Sequence, residues 1–173
     1  KTFSILKVNP KLSLPDIKFE PADVPAITGT VDDTFKKRLM ARGRDGSHPL
    51  LTSLTVDQAR YLVGKNIFLH LDGLTAIDKD VAQELAKNKY TLRLGGLTAI
   101  DKDVARELAK HKGKSLHLNG LTAIDKDVAQ ELAKHEGYLN LSGLTSVDKD
   151  VAQELVTHEG SVSLGGLDTM GMQ

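Results

Sequence analysis

Five times between residues 69 and 167 the chain runs through the same short alternation of apolar and polar positions: LHLDGL, LRLGGL, LHLNGL, LNLSGL and VSLGGL. A period of two with one apolar face predicts a short β-strand each time. Between the alternations the period lengthens. In IDKDVAQELAK, from Ile77, the residues Val81, Ala82, Leu85 and Ala86 make one helical stripe, and Lys79, Asp80, Gln83, Glu84 and Lys87 are expected to face outward. Asp78 stands where an N-cap belongs, because its carboxylate can accept an orphan backbone N–H and favours the positive end of a helix. At the other end Gly113, Gly137 and Gly160 suit the left-handed position just past a helix.

The alternation recurs at a countable spacing. Gly-Leu pairs at 73–74, 96–97, 120–121, 143–144 and 166–167 give periods of 23, 24, 23 and 23 residues. Such a period predicts stacked repeats, each too small to bury its own apolar face. The one extra residue falls near Lys114, where a turn can absorb it. The register extends upstream: Leu62 lies 12 residues before Leu74, as Leu85 does before Leu97, and Leu39 lies 12 before Leu51 with Phe35 in the place of Val81.

Three segments follow. Residues 1–27 carry Pro10, Pro15, Pro21 and Pro25, too many for a helix, and predict an extended arm. Residues 28–66 read as divergent capping repeats, and residues 67–173 as regular repeats with the last one incomplete. In the cap, TVDDTFKKRLMARG predicts a helix with Thr30 and Asp33 at capping-box spacing and Gly43 at its end. Its basic residues, Lys36, Lys37, Arg38, Arg42 and Arg44, suit a helix C-terminus better than an anion site. Pro49 is expected to guard the sheet edge.

One strand and one helix per repeat require parallel strands on one side and helices on the other. The alternation LxLxGLxxI followed by a short helix resembles a leucine-rich-repeat solenoid, specifically bacterial variants with LxLxGLTxL units, over roughly residues 28 to 170. The chain departs from the usual Leu-x-Leu-x-x-Asn-x-Leu pattern. Leu71 is followed by Gly73-Leu74, two residues tighter and without an asparagine ladder, so the hydroxyls of Thr75, Thr98, Thr122 and Thr145 are the expected partners of the turn backbones. The resemblance implies an α/β fold, a right-handed solenoid with a parallel sheet on its concave face and short helices on its convex face. It also implies a non-catalytic role in binding other macromolecules, usually proteins.

Composition narrows the partners. Lys plus Arg equal Asp plus Glu at 23 each in 173 residues, which argues against nucleic acid as a partner. No apolar run approaches the length of a membrane span. Without cysteine there is no disulfide framework and no thiolate zinc site. The opening Lys1, where a methionine would start a full chain, suggests a trimmed or processed form, from which a signal peptide, if one existed, has been removed. A bacterial secreted or cell-envelope location is the expectation.

The repeated helical stretch builds the scaffold, so the positions that differ between units carry the candidate function. On the strands these are Phe68, His70 and Asp72, then Thr91, Arg93 and Gly95, then Ser115, His117 and Asn119, then Tyr138, Asn140 and Ser142, then Ser161, Ser163 and Gly165. Aromatics, Arg and His are residue types that anchor interfaces. The candidate partner-binding set is Phe68, His70, Asp72, Arg93, His117, Asn119, Tyr138 and Asn140, and the expected partner is an unknown protein. A structural spacer or assembly array with no specific ligand is the alternative. His111, His135 and His158 recur at one place in successive units. Metal ligation is conceivable there, but a favourable interaction with the helix C-terminus is the simpler expectation. The aspartates of the DKD triplets, Asp78, Asp101, Asp125 and Asp148, read as caps rather than calcium ligands. No phosphate loop, nucleophile elbow or zinc motif occurs, so neither catalysis nor a cofactor is expected. The closing SVSLGGL offers Val162, Leu164 and Leu167 with no following helix, which raises a homodimer through the C-terminal strand as a possibility.

Overall fold

The computed structural model describes residues 31–40, 48, 50–65 and 67–165. The proline-rich arm, Thr30, Gly43, Pro49 and the C-terminal segment from residue 166, on which the arm, capping-box, edge and tail expectations rest, lie outside the described residues. Two helices come first, α1 (Asp33–Met40) and α2 (Val56–Gly64). Strand and helix then alternate: β1 (Leu69–His70), α3 (Lys79–Leu85), β2 (Leu92–Arg93), α4 (Lys102–Ala109), β3 (Ser115–His117), α5 (Lys126–Leu132), β4 (Tyr138–Asn140), α6 (Lys149–Leu155) and β5 (Val162–Ser163). The fold is α/β, and all five strands pair in parallel in sequence order.

The register follows the repeat. Leu69, Leu92, Leu116, Leu139 and Val162 stand side by side, as do His70, Arg93, His117, Asn140 and Ser163. The leucines of each alternation turn into one core with the helical stripes, and Leu69, Leu71, Leu74, Val81, Ala82 and Leu85 are all buried. The upstream units join the same core through Phe35, Leu51, Ala59 and Leu62. Backbone pairing reaches them too, since His48 donates to the His70 carbonyl at 3.0 Å.

Helices begin where the capping residues dictate. Asp78, Asp101, Asp125 and Asp148 each accept the N–H of the residue three positions on at 2.8 Å. Thr55 and Gln58 form a reciprocal capping box on α2. At α1 the acceptor for Phe35 N–H is Asp32, at 2.7 Å.

Four expectations need correction. Glu84, Glu107 and Glu131 are buried rather than outward. Neighbouring helices cover them, and the carboxylates are held by cations: Glu84 by Arg60 at 3.2 Å and Lys87 at 2.9 Å, Glu107 by Lys110 at 2.8 Å, Glu131 by Arg106 at 3.4 Å and Lys134 at 2.6 Å. The lysine bonds outweigh burial and hold the Glu84 and Glu131 carboxyls below their ordinary range. The turns, second, close on themselves rather than through threonine. The N–H of Leu74, Leu97, Leu121 and Leu144 bonds the carbonyl three residues back, at 3.0 to 3.1 Å, and of the four threonine hydroxyls only Thr145 shows a bond among the described residues, to the Thr122 carbonyl at 3.2 Å.

Third, Gly113, Gly137 and Gly160 are not left-handed; among the described glycines only Gly165 has a positive φ, at 64°. These glycines are small because a Cβ would meet the backbone of the preceding unit and the imidazole two residues before, at 2.5 Å for His111 and 2.7 Å for His158. Fourth, those imidazoles are buried in a stack rather than lying open at helix ends.

Close stacking yields a direct test. A Cβ at Gly120 would collide with the Gly95 carbonyl oxygen, whereas one at Gly64 has nothing within 4 Å. Gly120→Ala is therefore expected to lose about 1–3 kcal/mol in urea titration, as overpacking does. Gly64→Ala should hold or gain up to about 1 kcal/mol.

Candidate functional site

The sheet face turned away from the helices carries the residues that differ between units. Strand register orders them in three rows. Phe68, Thr91, Ser115, Tyr138 and Ser161 lie where the strands start; His70, Arg93, His117, Asn140 and Ser163 lie in the middle; Asp72, Gly95, Asn119, Ser142 and Gly165 lie where they end. Strand spacing of about 4.8 Å sets the distance between columns.

Arg93 organises the middle row. Its Nε faces Asp72 Oδ2 at 3.2 Å, and its two terminal amino groups have no partner among the described residues. Asp72 Oδ1 accepts the Gly95 N–H at 2.7 Å. The carboxylate of Asp72 and the amide of Asn119 flank Gly95 from the two sides, and a Cβ there would meet both. Glycine at this position thus lets a carboxylate and an amide approach each other along one row.

His117 and Asn140 form the second cluster. Asn140 donates Nδ2 to His117 Nδ1 at 3.3 Å, and its Oδ1 accepts the Ser142 N–H at 3.0 Å. That arrangement assigns the imidazole proton to Nε2. Burial first, then the Arg93 charge and His70, push the His117 pKa down against the pull of Asp72, so the ring is neutral at pH 7.

Aromatic rings flank Arg93 on both sides. Phe68 is 55% exposed, and its ring tilts against Tyr90 with centroids 5.4 Å apart. Tyr138 meets the edge of the His117 ring at 5.7 Å. All eight predicted partner-binding residues thus share one face. Phe68, His70, Asp72 and Arg93 form its first half, and His117, Asn119, Tyr138 and Asn140 its second. Tyr90 was missed because it precedes the alternation; its signal was a large aromatic where the following units have Gly113, Gly137 and Gly160.

The histidines at His111, His135 and His158 lie elsewhere, at the helix-to-strand turns. Their rings stack, with centroids 5.7 and 6.2 Å apart. His158 contacts the carbonyls of Ala133 at 3.2 Å and Gly137 at 2.9 Å in the preceding unit. The Tyr90 carbonyl beside His111 and the Ala109 carbonyl beside His135 stand in equivalent places, at more open geometry. Asn88 does the same job one unit earlier, donating to the Ile67 carbonyl at 2.9 Å and accepting the Tyr90 N–H at 2.6 Å. Burial and the next imidazole push His111 down to about 4 and lower His135 as well. Grooves of about 370 and 430 Å³ run past His111 and His135, yet the ring nitrogens themselves are closed to solvent. Only His158 clips the preceding backbone with both ring nitrogens, and the near-parallel rings of the column do not converge on a common point.

Comparison of the chain with protein-family profiles, with curated proteins and with solved structures finds no match.

Proposed function

We propose that the protein is a non-catalytic, leucine-rich-repeat-like binding module, a right-handed solenoid that recognises a protein partner through the concave strand face. The observation that carries the reading is the contrast between the two sides. The helical side repeats KDVAQEL at α3, α5 and α6, whereas the strand side changes at every unit and places Phe68, Tyr90, Arg93, His117 and Tyr138 in adjacent columns. A scaffold needs no exposed Phe68 beside a second ring, and aromatics with arginine are the groups that dominate interface energies.

The test uses a ligand captured from cell extract by the wild-type chain. Arg93→Ala and Tyr138→Ala are each expected to weaken its binding by about tenfold or more, the size of a hot-spot truncation. Neither should shift the melting temperature appreciably, since the Arg93–Asp72 pair is well exposed to water and such pairs add little stability. Unchanged affinity in both variants would favour a spacer array with no specific ligand on this face.

A further inference from the structure

Charge at the helix-to-strand turns changes sign along the array. The same turn position is Lys89 and Lys112 in two successive units and Glu136 and Glu159 in the next two. The negative end of a helix dipole would favour a cation at every one of them. The dipole therefore does not explain the glutamates, and the position varies as the strand face varies.

The lysines at the start of the array are free. Lys87 and Lys110 are engaged by Glu84 and Glu107, but Lys89, Lys112 and Lys114 are exposed and their ammonium groups have no ion pair or hydrogen-bond partner among the described residues. Lys89 and Lys112 line one open groove of about 300 Å³ together with Lys87, Lys110 and Glu107, whose carboxylate is already held by Lys110. Lys114 is the residue that lengthens one repeat to 24, and it lies immediately before β3. Its carbonyl accepts the Tyr138 N–H at 2.8 Å, which ties it to the second aromatic cluster. Lys89 precedes Tyr90, whose ring belongs to the first. Between the two clusters stand the unpartnered terminal amino groups of Arg93.

Lys89 before β2, Lys112 and Lys114 before β3, and Arg93 on β2, held at one edge by Asp72, thus form a strip of positive charge over the starts of two adjacent strands, about 4.8 Å apart. We propose that this strip binds a short, extended, Asp- and Glu-rich segment of a partner protein. The proposal rests on the binding-face reading above and names its partner chemistry. Two or three extended residues at about 3.3 Å each cover the two strand starts. Their carboxylates meet the lysines, and the planar fork of Arg93 offers a two-pronged contact to one of them. A nucleic acid fits less well. Its bases need open ring faces, but Phe68 and Tyr90 tilt against each other and Tyr138 is turned to His117. Its continuous phosphates would also run on to Glu136 and Glu159.

Fluorescence anisotropy with the full chain at pH 7.5 and low salt tests this. The probes are labelled peptides of alternating Glu and Ser, of alternating Lys and Ser, and of Ser alone, with a short oligothymidylate beside them. The Glu peptide is expected to bind in preference to the others, and more weakly as salt shortens the screening length towards about 8 Å. Lys112→Glu with Lys114→Glu should cut its affinity about tenfold or more, and Arg93→Gln about three- to tenfold, as expected for charge reversal and loss of an ionic contact. Lys149→Glu, on the helical side, should leave it unchanged, and thermal melts of each variant confirm folding. The proposal is overturned by no binding of the Glu peptide, equal binding of the Ser peptide, tighter binding of the oligothymidylate, or indifference to the lysine reversals. Sedimentation that shows a second copy seated on the strip through Glu136 and Glu159 overturns it equally. If it fails while Tyr138→Ala still weakens the captured ligand, the face remains a protein-binding face with a different partner chemistry.

Discussion

Leu118→Ala is expected to lower the unfolding free energy by about 2–5 kcal/mol, the range for truncating a fully buried leucine. Leu118 has no solvent exposure and follows β3 on the inward side of the sheet, among Leu94, Leu116 and Leu141, all equally buried. Its N–H is fixed to the Asn140 carbonyl at 2.9 Å, and its carbonyl closes the turn onto Leu121 at 3.1 Å. The backbone on both sides is therefore held, and the emptied volume cannot collapse easily. Each unit shares its core with two neighbours, so the loss is felt in adjacent units as well. Lys102→Ala is the control. Its ion pair with Asp127, at 3.3 Å, is exposed at both ends and contributes at most about 1 kcal/mol. Urea titration of both variants checks the register, and equal losses would mean that the inward and outward positions have been misassigned.

Features set by one unit alone were legible in the sequence. The alternation at Leu92–Arg93 and the stripe through Val104, Ala105 and Leu108 each need only a local period, and both elements stand where that period puts them. Asp101 as a cap needs only its own next turn. Features set by the distance between units were not legible. Glu107 looks solvent-facing on a helical wheel, but it packs towards the preceding helix, beside Gln83 and Lys87, and Lys110 reaches over to satisfy it. Gly113 looks like a helix terminator, but the neighbouring backbone and the His111 ring decide its size.

One trace of that coupling was present in the sequence. The turns read His111-x-Gly113, His135-x-Gly137 and His158-x-Gly160, but Asn88-x-Tyr90. Where the clip is a ring, the position two residues on must be small; where it is an amide, a tyrosine fits. The candidate face was legible for a different reason. Outward strand positions follow from parity alone, whereas Tyr90 lies outside the alternation and joins Phe68 only through the tertiary turn.

Acidification from pH 6.5 towards pH 4 is expected to destabilise the protein strongly, by on the order of 3 kcal/mol through His111 alone. The sign follows from which state binds the proton. In the unfolded chain the ring titrates at about 6.5; in the fold, burial and the neighbouring His135 hold it down to about 4. Below pH 6.5 the unfolded state gains a proton that the folded state refuses, so stability falls by about 1.4 kcal/mol per pH unit until the folded ring also titrates near pH 4. The contribution is fully present above pH 6.5 and lost through this window. His135 is lowered in the same direction by burial and by His158, with Glu136 opposing, and it adds to the loss. Glu84 and Glu131, held below their ordinary range by Lys87 and Lys134, begin to weaken the fold only once pH falls below about 4.5. Two acid limbs should therefore separate in urea midpoints measured against pH. Asn88 supplies the decisive variant, because it clips the Ile67 carbonyl at 2.9 Å with a side chain that cannot titrate. His111→Asn with His135→Asn should lower stability at pH 8, where two rings' packing is lost, yet flatten the limb between pH 6.5 and 4. A limb as steep in the double variant as in the wild type would place the acid sensitivity of that window outside these two rings.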